Sequence, residues 1–455
     1  MSLRSARTRW PLTLGLLLAL LLSLLTTTNP AAADPQAAAT FTVATPATTV
    51  AARTDRRPMA GGVYDGVARK TFISWAGKNE DSYVQEYDHA RRTWSSPVFV
   101  GDGDADAHNY PTMVQANNGK LLIFRGMHNV ELVVSESARP RSTAGTWTHR
   151  VIPQGIAASY PMPFKAANGD IYVFYRRTDD TVDPNAPVDQ RPMLYVRSRD
   201  HGKTWSNSTQ LTGAPYAVGS TGRPDNMDEV YFGQMRYEPA RFGRSERVHI
   251  VWTLAGGGTE GERHDRYHRN IHYAYFQPSN RHFYSASGRD LGVQIDNADI
   301  EGPTKVVQTL LELPAGIKSP DYIQQVGWQA NGRPFVLYFT ADATGRFHNV
   351  AGHWNGRRWV IREVTTGLRT REIEPVAGGW RVYGTVDLQP GIHTALLSDA
   401  GRWTPGVTIP TAKPVQRIEL ITGFRDPARL LVTGASSARD VSIADGDIHV
   451  VGASC

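Results

Sequence analysis

The stretch Ser198-Arg-Asp200-His-Gly202-Lys-Thr204-Trp205 constrains this chain more than any other. It is a full Asp-box, S-x-D-x-G-x-T-W. In that motif Asp and Gly shape a tight turn between the outer strands of a blade, and Trp plugs the space between sheets. Tyr87-Asp88-His-Ala-Arg-Arg-Thr93-Trp94 is a degraded copy, and Gly145-Thr146-Trp147, Asn355-Gly356-Arg-Arg-Trp359 and Gly401-Arg-Trp403 are fainter ones. Between them recur short runs rich in β-branched and aromatic residues, bounded by turn chemistry. The clearest are Lys70–Trp75, Lys120–Arg125, Ile171–Arg176, Val248–Leu254, Pro334–Thr340, Trp380–Val386 and Ile448–Val451. No long segment has a helical period. Repetition on this scale predicts an all-β fold, a seven-bladed β-propeller. Its blades fall near 60–100, 108–152, 158–213, 229–300, 318–365, 370–412 and 415–453. Phe41–Val50 could complete the last blade. Asp200 and Trp205 are assigned to blade stability, because the motif is structural.

Residues 1–33 read as a secretory signal peptide. Arg4, Arg7 and Arg9 form a basic start, Leu12–Leu25 an apolar run, and Ala31-Ala32-Ala33 precedes Asp34. The run is too short to span a membrane comfortably, and no stop-transfer charges follow. Residues 34–57, rich in Ala, Thr and Pro, read as a flexible leader, and 58–455 as a single propeller domain. The expectation is a secreted, extracellular monomer with no membrane contact after signal cleavage. Losing Arg4, Arg7 and Arg9 takes the formal charge from +6 to +3. So small a balance, with no basic stripe, does not argue for nucleic acid. Cys455 is the only cysteine, so no disulfide and no multi-cysteine zinc site can form within the chain.

One layout recurs in the second and third blades. Asp106-Ala-His108-Asn109-Tyr110-Pro111 and Gly126-Met127-His128-Asn129 flank the Lys120–Arg125 run, which follows Asn117-Asn118-Gly119. The pattern returns as Ser159-Tyr160-Pro161, Asn168-Gly169 and Ile171–Arg176. Treated as equivalent repeats, the two copies bring His108, His128, Tyr160 and Arg176 to one pocket from corresponding loops.

These segments, with Phe174-Tyr175-Arg176, resemble the BNR-repeat polysaccharide lyases. That group includes ulvan lyases and the rhamnosyl-glucuronate lyases that trim gum arabic. The resemblance is strongest over about residues 60–280, and the spacings also fit, with 20 residues from His108 to His128 and 16 from Tyr160 to Arg176. It implies a seven-bladed propeller with Asp-box (BNR-like) repeats, a cleft on one face, an acidic polysaccharide as partner, and a catalytic group of His108, His128, Tyr160 and Arg176.

The chemistry of a lyase asks for such residues. β-Elimination breaks the 4-O-glycosidic bond of a uronic acid, and the C5 proton is only weakly acidic. A cation or donor on the neighbouring carboxylate must offset the developing charge. Arg176 suits this because guanidinium grips carboxylate in bidentate fashion, and His128 is a second donor. A base then takes the C5 proton and an acid protonates the leaving oxygen. His108 and Tyr160 are the candidates, undivided between the two roles. No cofactor is required.

Weaker candidates surround this set. Asn109 and Tyr110 either orient substrate or cap a turn. Arg236 and Tyr237, before the Val248 strand, either reach the cleft or form an ordinary strand pair. Arg177 reads as a solvated neighbour of Arg176. Asp102-Gly-Asp104-Ala-Asp106 has the look of a calcium loop, but Met113 stands where an EF-hand places its Glu. His264, His268 and His272 fall at helical steps, yet Ile271–Phe276 reads as strand. Some proteins of the resembled family hold a structural zinc through histidines and cysteines, and this chain has no cysteine there. Ligation by His264, Asp265 or His268 stays open, as does a structural calcium.

Two other classes compete with the lyase. A sialidase-like glycoside hydrolase would use the same Asp-boxes but needs a carboxylic acid catalyst, with three arginines and a Tyr/Glu pair. A non-catalytic carbohydrate-binding propeller would need only aromatic platforms, and 11 Trp and 18 Tyr supply them.

Overall fold

The computed structural model describes residues 40–51, 61–106, 108–179, 190–241, 243–257, 264–309, 313–314, 319–321, 324–387 and 389–454. All lie in the compact unit Thr40–Cys455. The signal peptide expected at 1–33 falls outside them. Among the described residues no helix is long and apolar enough to cross a membrane.

Seven antiparallel meanders follow one another along the chain. Sheet 1 runs Gly62–Asp65, Lys70–Ala76 and Ser82–Asp88, with Thr93–Trp94 and Val98–Gly101 both on its outer edge. Sheet 2 runs Thr112–Gln115, Leu121–Phe124, Leu132–Glu136 and Thr148–Ile152. Sheet 3 runs Ala158–Lys165, Ile171–Arg177, Met193–Ser198 and Ser206–Asn207. Sheet 4 is the longest, Glu229–Glu238, Arg247–Gly256 and Tyr267–Gln277 with short outer strands. Sheet 5 runs Gln324–Trp328, Pro334–Ala341, Phe347–Trp354 and Trp359–Thr366. Sheet 6 runs Arg369–Val376, Gly379–Thr385 and Pro390–Ser398. Trp403–Arg425 is shared: its first half edges sheet 6 and its second half opens sheet 7. Sheet 7 continues through Ala428–Gly434 and Gly446–Ala453.

First strands of neighbouring sheets lie against one another, sheet 1 on 2, 2 on 3, 4 on 5, 5 on 6 and 6 on 7. Sheets 3 and 4 join through a parallel bridge between Arg191 and Glu229, and sheets 7 and 1 through Val63 beside Thr422. This is the strand order of a seven-bladed propeller, and every boundary lies close to the repeat read from the sequence. Alternation of apolar and turn residues is a local signal, so it survives folding.

Phe41–Val50, within the stretch read as a flexible leader, instead completes the last blade, the other role its sequence allowed. It pairs antiparallel with Gly446–Ala453, from Phe41 opposite Ala453 to Val50 opposite Gly446. The physical reason is the unpaired edge that sheet 7 would otherwise expose; Val50 and Ala47 bury into the core beside Ile448 and Val450. The N-terminal strand thus closes the last sheet, and the domain begins before residue 58.

The Asp-box behaves as its chemistry demands. Asp200 accepts hydrogen bonds from the Lys203 and Thr204 N–H groups (3.1 and 2.9 Å) and from the Thr204 hydroxyl (2.6 Å). Burial opposes ionisation there, but these bonds and one from Ser198 outweigh it and hold the carboxyl at about 2. This contribution to stability is present above the ordinary aspartate range and fades as pH falls toward 2. Gly202 has φ +87°, and a Cβ there would meet Leu122 at 2.6 Å. Trp205 donates to the Gly202 carbonyl (3.1 Å) and packs edge-on against Phe124 of sheet 2, centroids 5.8 Å apart. Trp205→Ala is expected to cost about 3–5 kcal/mol, measured as a lower urea midpoint, because it empties the seam between sheets 2 and 3.

Candidate active site

Four chain segments converge where sheets 2, 3 and 4 meet. His108 sits in the loop between Val98–Gly101 and Thr112–Gln115. His128 begins a short strand, His128–Val130, that leaves sheet 2 and pairs with the first strand of sheet 3, His128 opposite Ser159. Asn129, at φ +62°, makes that crossing: its N–H donates to Ser159 Oγ (3.0 Å), while Ser159 and Thr178 hydroxyls donate to its Oδ1 (3.1 and 2.6 Å).

Tyr160 owes its position to a bulge. Pro161 has no N–H for the ladder, and the register with Ile171–Arg177 breaks between Ser159 and Met162. Tyr160 adopts φ +58° at the break, an uncommon conformation for a tyrosine that recurs at functional sites. Arg176 pairs opposite Ser159 in the next strand. Tyr160 therefore stands within a strand, not in the loop the repeat layout predicts, because sheet 3 extends further at this end than sheet 2, while Arg176 lies in the run already read as strand.

The four residues named from sequence touch one another. The His108 and His128 rings stack at 3.8 Å, 19° from parallel. Tyr160 lies 5.9 Å from His108 and 6.3 Å from His128 between ring centroids. The Arg176 guanidinium carbon is 4.6 Å from the centre of the Tyr160 ring and 4.9 Å from that of Tyr231. Arg176 is 1% exposed, and its Nε and Nη1 donate no hydrogen bond to any described residue. Burial works against its charge, but Tyr231, Tyr160 and Glu229 around it keep it firmly protonated.

Three participants escaped the sequence reading. Asp106 stands between the histidines, Oδ1 at 2.5 Å from His108 Nδ1 and Oδ2 at 2.8 Å from His128 Nδ1, and Oδ1 also accepts from the His108 N–H (2.9 Å). Burial raises its carboxyl, yet these bonds prevail and bring it down to about 2. His128 is lowered, chiefly by burial, against the opposing pull of Asp106. Tyr231 faces Arg176 from sheet 4, with burial pushing its phenol well up. Glu229, fully buried, accepts from the Tyr231 hydroxyl (3.2 Å) and the Asp265 N–H (3.0 Å), and Arg191 Nε lies 3.5 Å away. Only Asp106 left a trace in the sequence, two residues before His108.

Other candidates are placed elsewhere. Asn109 is buried and donates to the Gly103 carbonyl (2.5 Å), so it ties the loop rather than meeting substrate. Tyr110 is 1% exposed in the core, near Arg417. Arg236 is tied to Glu372 of sheet 6, and the Tyr237 hydroxyl donates to Glu246 (2.7 Å). Five and six residues beyond Tyr231, they lie roughly 17–20 Å along the strand, which removes them from this pocket. Arg177 pairs with Asp179 at 2.5 Å.

The metal candidates stand in hydrogen-bonded arrangements. His264 Nδ1 lies against Glu229 (2.9 Å) and His268 Nε2 against Asp265 (2.5 Å), whose own N–H donates to Glu229 (3.0 Å). Tyr267–Gln277 is strand, so the helical spacing of those histidines is accidental. In the Asp102–Asp106 loop, both Asp106 oxygens face the histidines. Asp106, His108 and His128 bring ligand atoms within 4.8 Å of one another, but the 2.5 and 2.8 Å separations are those of hydrogen bonds. A tetrahedral zinc shell needs ligand atoms roughly 3.3 Å apart for bonds of about 2.0 Å.

Fold and pocket together define a repeat-built all-β protein with two histidines, a tyrosine and an arginine gathered around a carboxylate. The chain belongs to the BNR repeat-containing family, whose pattern matches residues 70–366. It is similar to the ulvan lyase of Alteromonas sp. (strain LOR), 22% identical over 272 residues, which cover 52% of this chain and 51% of that protein. Similarity to the ulvan lyase of Nonlabens ulvanivorans is 26% over 169 residues, 32% of this chain and 33% of that one. The chain thus spans about half the length of the first, and a third of the second, of these curated relatives. Among solved structures, a PL25 ulvan lyase bound to -[GlcA(1-4)Rha3S]- superposes with TM-score 0.68 at 17% identity, covering 89% of this chain and 96% of that one. Polysaccharide lyase Uly1 follows with TM-score 0.60 at 10% identity, covering 87% and 90%. At these identities the likeness speaks for the fold.

Proposed function

We propose that this protein is a secreted polysaccharide lyase that cleaves uronate-containing polymers by β-elimination, at rhamnose-glucuronate or rhamnose-iduronate linkages of the kind found in ulvan or gum arabic. The observation that carries this is the buried Arg176, whose Nε and Nη1 meet no acceptor among the described residues, set behind Tyr160 and the stacked histidines. A uronate carboxylate is the acceptor that suits those two open donors of a guanidinium. As charge develops on the carboxylate side of C5, Arg176 offsets it, joined by His128 when that ring is protonated at Nε2. One of His108 and Tyr160 takes the C5 proton, the C4–O bond breaks, a C4=C5 double bond forms, and the leaving oxygen receives a proton. The similarity to ulvan lyases supports the substrate class.

The hydrolase alternative needs a protonated carboxyl near neutral pH. Asp106, the carboxyl between the two histidines, is held ionised at about 2, so it does not serve as that acid. Incubating the mature protein with ulvan and with gum arabic, and following the ultraviolet absorbance of unsaturated uronate, tests the proposal. Sugar release with no absorbance rise would refute elimination. Binding without turnover would identify a carbohydrate-binding propeller. Recovery of the protein in culture medium, starting near residue 34, tests secretion.

A further inference from the structure

We propose that Asp106 is the positioning residue of this site, one carboxylate that holds both His108 and His128 with the proton on Nδ1 and so presents both Nε2 atoms to the chemistry. This rests on the elimination reading for its kinetic consequences, but its structural content stands apart.

The geometry is specific. Each Asp106 oxygen meets a different ring, at 2.5 Å and 2.8 Å, and both contacts are to Nδ1. An ionised carboxylate only accepts, so each Nδ1 must carry hydrogen. Nε2, on the far side of each ring, is then the atom that takes or gives a proton. Stacking at 3.8 Å adds a second constraint. Two imidazolium rings at that distance repel, and Arg176 and Arg191 also disfavour charge on His128. Asp106 compensates for one positive charge, so the pair accommodates one extra proton rather than two. A neutral ring that accepts at Nε2 thus stands beside one able to donate there. Among the described residues, Asp106 faces both rings, Arg176 and Arg191 act on His128, and the Tyr160 ring lies alongside.

Asp106→Asn separates this role from a structural one. Asparagine keeps one acceptor oxygen, which can hold the loop through the His108 N–H, but replaces the other with an NH2 donor. Opposite that donor one ring must switch to the Nε2–H form. In nitrogen-15 histidine NMR spectra of the whole protein, wild type is expected to show both neutral rings as Nδ1–H, and D106N one ring as Nε2–H. With ulvan as substrate, kcat should fall by about 10²–10⁴-fold with KM nearly unchanged. Removing the negative charge lowers both imidazole pKa values. The acid limb, set by the neutral base, and the alkaline limb, set by the protonated acid, should both move to lower pH. Asp106→Glu should recover part of kcat.

A wild-type spectrum showing either neutral ring as Nε2–H overturns the proposal, as does D106N with wild-type kcat and pH profile. If wild type yields no unsaturated product, the elimination reading fails. The NMR comparison then still decides whether Asp106 positions both rings.

Discussion

Arg176→Met is expected to lower kcat by about 10²–10³-fold, a larger effect than its cost in stability. Arg176 is 1% exposed, with Nε and Nη1 unbonded to any described residue. Burial opposes its charge, but Tyr231, Tyr160 and Glu229 outweigh that, so a neutral side chain of similar length gives up these contacts while avoiding the desolvation. Methionine keeps contact with the Tyr160 and Tyr231 rings through its sulfur. Turnover, by contrast, loses the cation that meets the uronate charge. Thermal unfolding and kcat measured on one preparation separate the effects. A variant that melts several degrees lower yet turns over normally would make Arg176 a structural residue. Arg176→Lys should not restore full activity, since a compact ammonium cannot reproduce the planar fork between the two rings.

His108→Ala and His128→Ala should each lower kcat by about 10²–10⁴-fold, and the double variant should fall little further than the worse single one. Residues that act as a unit are not additive, and these two share one carboxylate and stack face to face. Their side chains are 18% and 20% exposed, so neither loss should threaten the fold. The cycle is read from initial rates of double-bond formation. Effects that multiply would show two independent roles and break the shared unit.

Much of this was legible before folding. The blade boundaries follow from turn chemistry and short β-runs, which act over a few residues. His108, His128, Tyr160 and Arg176 stood out because two copies of one layout aligned them. The misses share a cause. Tyr110 and Asn109 adjoin His108 in sequence, yet the loop turns them inward. Arg236 and Tyr237 neighbour Tyr231 along one strand, but a strand carries them roughly 17–20 Å away. Residues 34–57 looked like linker by composition; Phe41–Val50 could complete the last blade, but its partner, Gly446–Ala453, lies at the opposite end of the chain, so only folding decides it.

By itself, then, the sequence determined the repeat, the Asp-box turn at Asp200 and Gly202, and the four side chains able to serve an elimination. These depend on local propensity and side-chain type. Only the tertiary structure decided that Asp106 stands between both histidines, that a bulge at Tyr160-Pro161 turns the tyrosine over Arg176, and that Tyr231 and Glu229 complete the wall from sheet 4. Those facts arise where three sheets meet, from contacts between residues far apart in the chain, and no local pattern encodes them.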